Sequence, residues 1–215
     1  MDNFGQHMFS EAAKTAQDEV GMREKYEKIY ANRLTSGIGP DETAFIETRD
    51  TFFLASVVDG GYPYVQHRGG PPGFLKVIAK DTLGFIDYPG NKQFITFGNL
   101  KTNTKVAMIL MDYANRGRIK LIGEASMISA AENPQLAKDL TVEGQPEAER
   151  IVSIKITAMD RNCPQYITPR FTETEIEAML GPRMAQYDAA IATLSDRLRA
   201  LGEDPAALLK AKDTQ

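Results

Sequence analysis

The chain has 215 residues, of which 42% are hydrophobic and 25% charged, and its formal net charge is −4. That length and balance suit one folded domain with helical additions and exclude a chain disordered throughout. Lys and Arg are dispersed without a basic run, which removes the electrostatic footprint of a nucleic-acid or membrane-surface binder, and the single cysteine, Cys163, cannot close an intrachain disulfide.

Residues 1–10 are polar and do not read as a signal peptide, and no window holds 18 uninterrupted apolar residues. The expectation is a soluble, cytoplasmic protein. Residues 8–34 read as helix: Phe9, Ala12, Ala16 and Val20 recur at three- to four-residue spacing, with Gly21 as an interruption before Met22, Tyr26 and Ile29. A loop through Ser36, Gly37, Gly39 and Pro40 follows, and Asp41 is placed to cap a short helix ending at Glu47.

The pattern changes at Thr51. Residues 52–58 form a short apolar run rich in aromatic and β-branched side chains, and Asp59-Gly60-Gly61 marks a hairpin turn before a return strand at 62–68. Further strands are predicted at 74–79, 82–88, 105–113, 118–128 and 149–159, with Asn115-Arg116-Gly117 as a turn. Helices are predicted at 91–101, after Pro89-Gly90, and at 131–140, near Asn133-Pro134. Hairpin succession without regular strand–helix alternation points to a mainly β fold, an antiparallel barrel flanked by helices.

At the C-terminus, Thr172 with Glu175 resembles a capping box, and Gly181-Pro182 reads as the end of that helix. Beyond it, Leu180, Met184, Tyr187, Ile191, Leu194, Leu198 and Leu201 alternate spacings of four and three. That seam fits either packing on the chain's own barrel or pairing with another chain. Residues 204–215 read as a frayed tail. The organisation expected is a helical segment at 1–48, a barrel domain at 49–170 and a helical extension at 171–215.

Two clusters carry chemistry. In Tyr62-Pro63-Tyr64-Val65-Gln66-His67-Arg68-Gly69-Gly70, a strand delivers Gln, His and Arg and then loses its side chains, which lets a backbone approach a flat ligand. Arg68 offers a fork of donors for a phosphate or carbonyl, or a surface ion pair. In Asp87-Tyr88-Pro89-Gly90-Asn91-Lys92, a strand ends and a helix is expected to begin near Asn91. A helix start with a lysine in it favours a bound anion such as phosphate, since the lysine otherwise opposes the helix dipole. His67 is a candidate hydrogen-bonding partner or proton donor, or simply orients the loop. Only His7 and His67 are imidazoles, which gives no metal-ligand spacing.

Taken together, residues 52–129 resemble the pyridoxamine 5′-phosphate oxidase-like, FMN-binding split-barrel family. A branch of it is marked by Tyr64-Val65-Gln66-His67-Arg68-Gly69-Gly70-Pro71-Pro72-Gly73, Gly98-Asn99-Leu100, Met111-Asp112-Tyr113 and Asn162-Cys163-Pro164-Gln165-Tyr166-Ile167. The resemblance implies FMN as cofactor, a homodimer, and oxidoreductase activity on a small molecule. It implies that Gln66, His67, Arg68 and Gly69 run along the flavin, that Asp87 and Tyr88 flank the ribityl chain, and that Asn91 and Lys92 bind the phosphate. Asn99 matches a flavin-bonding position, and Arg118 lies near one that reaches FMN from the second subunit. Cys163 falls where a loop could pack on the flavin edge, act as a redox nucleophile, or serve structure alone. The oxidase members carry a C-terminal Trp; this chain has none, so the resemblance covers the cofactor site and not the pyridoxamine-oxidising segment. The alternative is a non-catalytic flavin or haem binder, for which His67 is the one axial ligand near the barrel.

Overall fold

The computed structural model describes residues 1–32, 37–161 and 164–206. They fall into two compact units, Met1–Thr168 and Pro169–Gln215. Ser36, Asn162, Cys163 and most of the expected C-terminal tail lie outside the described residues.

The first unit opens with four short helices, α1 (Phe4–Met8), α2 (Glu11–Glu19), α3 (Arg23–Ala31) and α4 (Pro40–Glu47). The single helix expected over 8–34 is thus broken. Gly21 takes φ +67°, a left-handed conformation open to glycine, and the chain turns there between α2 and α3. Ser10 caps α2 through a bond from the Ala13 amide. The cap of α4 is Gly39 rather than Asp41, and its amide donates to Glu42 Oε2 at 3.1 Å.

Seven strands follow: β1 (Thr51–Val57), β2 (Pro63–Gly69), β3 (Leu75–Ala79), β4 (Thr82–Asp87), β5 (Lys105–Asp112), β6 (Gly117–Ser129) and β7 (Arg150–Arg161). Helix α5 (Ile95–Thr102) separates β4 from β5, and α6 (Pro134–Leu140) separates β6 from β7. All pairings between these strands are antiparallel, in the order β2-β1-β5-β6-β7-β4-β3. The expected hairpin through Asp59-Gly60-Gly61 forms, with Gly61 at φ +82°.

This sheet curls on itself. Phe52 of β1 stacks on Phe74 at 5.5 Å and meets Phe85 of β4 edge-on at 5.2 Å, although three strands separate β1 from β4 in the sheet. The alternating burial of β1 and β5 supplies one side of the enclosed core; Leu83, Phe85, Val152 and Ile154 supply the other. A bulge between Ile122 and Gly123 shifts the β6–β7 register, and a Cβ at Gly123 would collide with the Lys155 carbonyl. β4 is buried on both faces because α6 covers its outer side through Leu140, packed with Ile86 and Ile151.

The second unit contains α7 (Glu173–Ala200), which begins with the expected capping box of Thr172 and Glu175. The expected stop at Gly181-Pro182 is not one: the helix runs through Pro182. Proline removes one N–H there, but strong helix formers continue on both sides.

Candidate functional site

The pleat of β2 divides its motif. Cross-strand partners share a face, so Gln66 and Arg68, opposite the buried Leu54 and Phe52, lie on the inner face. His67 and Gly69, opposite Phe53 and Thr51, lie on the outer one. There His67 Nε2 is 2.5 Å from Thr51 Oγ1 and its ring sits edge-on to Phe53. The glycine pair does not leave open space, since the Phe74 ring fills the position a Cβ on Gly70 would take.

Arg68 meets Asp87, the last residue of β4, with Nη1 2.7 Å from Oδ1. Asp87 is buried, and its other oxygen accepts from Arg150 Nε at 3.1 Å. Arg150 opens β7 and stands directly opposite Asp87 in the β4–β7 register. One carboxylate thereby orients two guanidiniums at one end of the barrel.

Residues 88–94 follow as a loop, and α5 starts only at Ile95, not near Asn91 as the sequence predicts. The backbone explains the delay, because Lys92 at φ 59° and Phe94 at φ 54° are both left-handed, which a helix does not admit. Lys92 is therefore outside the first turn, exposed on the loop. Asn91 Oδ1 accepts from the Gln93 amide. Phe94 precedes α5 without a side-chain cap, so the first-turn amides keep the partial positive charge of an unsatisfied helix start.

These parts line an open cavity of about 80 Å³ whose walls include Gln66, Arg68, Asp87, Tyr88, Asn91 and Lys92. Six of the ten sequence-predicted site residues thus come together. Two of the lining residues each carry a buried polar atom without a hydrogen-bond partner among the described residues, Arg68 Nε and the Tyr88 hydroxyl. Such groups cost free energy unless a water or a bound molecule satisfies them.

The other four predicted residues lie elsewhere. His67 and Gly69 are outward on β2. Asn99 is buried in α5 and donates to Ser56 Oγ at 2.8 Å, tying the helix to β1. Arg118, opposite Met111 at the start of β6, is separated from the cavity residue Met127 by roughly 30 Å of strand.

Sequence reasoning missed Arg150, Thr96 and the two phenylalanines. Thr96 donates to Gln66 Oε1 at 2.7 Å and fixes that amide. The Arg150 guanidinium lies 5.3 Å from the Phe94 ring centre and 5.7 Å from that of Phe97. No local signal marks Arg150; only the long-range pairing of β7 with β4 brings it to the site. A larger groove of about 570 Å³ lies on the outer face, lined by Ala55, Val57, Ala107 and Ile122 with Lys105 and Glu124. It lacks both the cationic cluster and the unpartnered buried atoms. Among the described residues there is no cluster of His, Cys, Asp and Glu able to hold a metal ion, and no helix long and apolar enough to cross a membrane.

Residues 39–160 match the family model described as pyridoxamine 5′-phosphate oxidase. Among solved structures, HupZ of Group A Streptococcus is similar at 13% identity and TM-score 0.49, covering 62% of this chain and 99% of its own. A candidate pyridoxamine 5′-phosphate oxidase from Lactobacillus delbrueckii is similar at 18% identity and TM-score 0.47, covering 60% and 97%. General Stress Protein 26 from Bacillus anthracis is similar at 15% identity and TM-score 0.43, covering 60% and 93%. No curated protein matches.

Proposed function

The chain belongs to the pyridoxamine 5′-phosphate oxidase family, and on that premise we propose that it is an FMN-binding flavoprotein acting as an oxidoreductase on a small molecule. The observation that carries this reading is a cavity lined by Arg68 and Tyr88, each with an unpartnered buried polar atom, and edged by Lys92 and an uncapped helix start. Arg68 Nε only donates, from a cation, and the Tyr88 hydroxyl can donate, so an anionic acceptor such as the phosphate of FMN suits both residues.

The residues divide the work. Arg68 and Lys92 bind the phosphate, with Asn91 and the first-turn amides of α5 as further donors. Asp87 accepts none of the ligand's bonds; it holds Arg68 and Arg150 in place. Gln66, fixed by Thr96, presents its amide to the flavin ring system. A cavity of about 80 Å³ is well below the roughly 300–1,000 Å³ of sites that enclose a whole organic ligand. It receives the phosphate end, and the rest of the cofactor lies beyond it, between this chain and a second copy. Arg118 reaches the cofactor only from that second copy.

Bound FMN supplies the electron-transfer chemistry. The protein positions it, and both carboxylates lining the cavity among the described residues, Asp87 and Glu149, are paired with guanidiniums. That last observation also favours a second reading, a non-catalytic flavin carrier. Haem is disfavoured, because His67 is on the outer face and engaged by Thr51.

The test is the visible absorption spectrum of the purified protein with mass identification of the released chromophore. Flavin bands and FMN are expected. A colourless protein that takes up no added FMN overturns the proposal. Oxidation of reduced nicotinamide by the loaded protein separates enzyme from carrier.

A further inference from the structure

Helix α7 has 28 residues, about 42 Å of helix, and none of them is buried. Its apolar residues recur at alternating spacings of four and three. Met184, Ile191 and Leu198 take heptad positions a; Leu180, Tyr187 and Leu194 take positions d, and Leu201, the C-cap, continues that register. Ile191 and Leu194, in the middle, are 54% and 58% exposed. Helical stability in water comes mostly from burying such a face, and a period of 3.5 keeps it aimed at one partner helix over three heptads.

The flanking charges identify the partner. Arg183 is at position g and Asp188 at the following e position, five residues on. In a parallel, in-register pair of identical helices, each Arg183 faces the other copy's Asp188. Among the described residues of its own unit Asp188 has no ion-pair partner, and Arg183 leans over Tyr187, with Nε 2.9 Å from the phenol oxygen, at the edge of the seam. The antiparallel alignment that sets Leu180 against Leu198 brings Arg183 onto Arg197 and Asp188 onto its own copy. Shifting that alignment by one heptad sets no opposite charges within α7 against one another. Ile191 at the central a position, followed by Leu194 at d, also suits a two-stranded parallel coil.

We infer that α7 pairs with α7 of a second copy of this chain as a parallel, in-register, two-stranded coiled coil. This stands independently of the flavin reading, because it draws on no residue of the cavity.

Leu201→Cys in a Cys163→Ser background tests it in the full chain, with Ala189→Cys on the opposite face of the helix as control. In a parallel coil the two introduced thiols at 201 are adjacent. In either antiparallel alignment they are separated by roughly 25 Å or more. Mild oxidation is expected to convert most of the L201C chain to a covalent dimer and little of the A189C chain. Adding R183E, which sets like charges face to face, is expected to slow the cross-linking severalfold, and R183E/D188R to restore it. Cross-linking of L201C no faster than that of A189C, or no recovery in the double reversal, overturns the inference.

Discussion

Arg68 and Asp87 are joined at 2.7 Å across the open side of the barrel. Arg68 is on β2, one edge of the sheet, and Asp87 ends β4, the strand next to the other edge. A bond that spans the split is therefore also the one that orients the candidate phosphate donor.

Asp87→Asn is expected to destabilise the protein by roughly 3 kcal/mol, because it leaves two half-buried guanidiniums without their carboxylate. A shift of the urea midpoint measures this. An unchanged midpoint would show that closure depends on the aromatic contacts of Phe52 alone.

Lys92→Ala is expected to weaken FMN binding by roughly 10- to 100-fold, the loss of one charge-assisted contact. Lys92 is exposed, so the unfolding midpoint without FMN should scarcely move. Fluorescence titration of FMN into the flavin-free protein provides the comparison. Equal affinities would move the phosphate away from the 88–94 loop.

Arg150→Ala removes one of the two cations on Asp87 and the stacking on Phe94 and Phe97. Its expected effect on FMN affinity is a loss of roughly tenfold, with Arg150→Lys intermediate because it keeps charge but not the planar fork. The same titration applies, and wild-type affinity in Arg150→Ala would confine the residue to the fold.

Gly123→Ala is expected to cost roughly 1–3 kcal/mol, since the new methyl meets the Lys155 carbonyl at the β6–β7 bulge. Thermal unfolding should register it while FMN affinity of the folded fraction stays unchanged.

Much of this architecture was legible in the sequence. All seven strands and the hairpin at Asp59-Gly60-Gly61 follow from short apolar runs and turn residues, because those signals are local. The start of α5 was misread because Lys92 and Phe94 adopt left-handed backbone without being glycines, which composition does not announce. Gly181-Pro182 reads as a stop, yet helix formers on both sides carry α7 through it. At the site, Arg68, Asp87 and Lys92 were accessible as members of motifs. His67 and Gly69 were grouped with Arg68 as neighbours in sequence, and the alternation of β2 sends them to the other face. Arg150 needed the β4–β7 pairing, a relation between residues 63 positions apart.

The left-handed backbone at Lys92 sets affinity against stability within a single residue. A non-glycine residue held at φ 59° sacrifices roughly 1 kcal/mol that glycine would not. Lys92→Gly should therefore relax the main chain while deleting the charge, giving a protein that unfolds at higher temperature without cofactor and holds its anion more weakly.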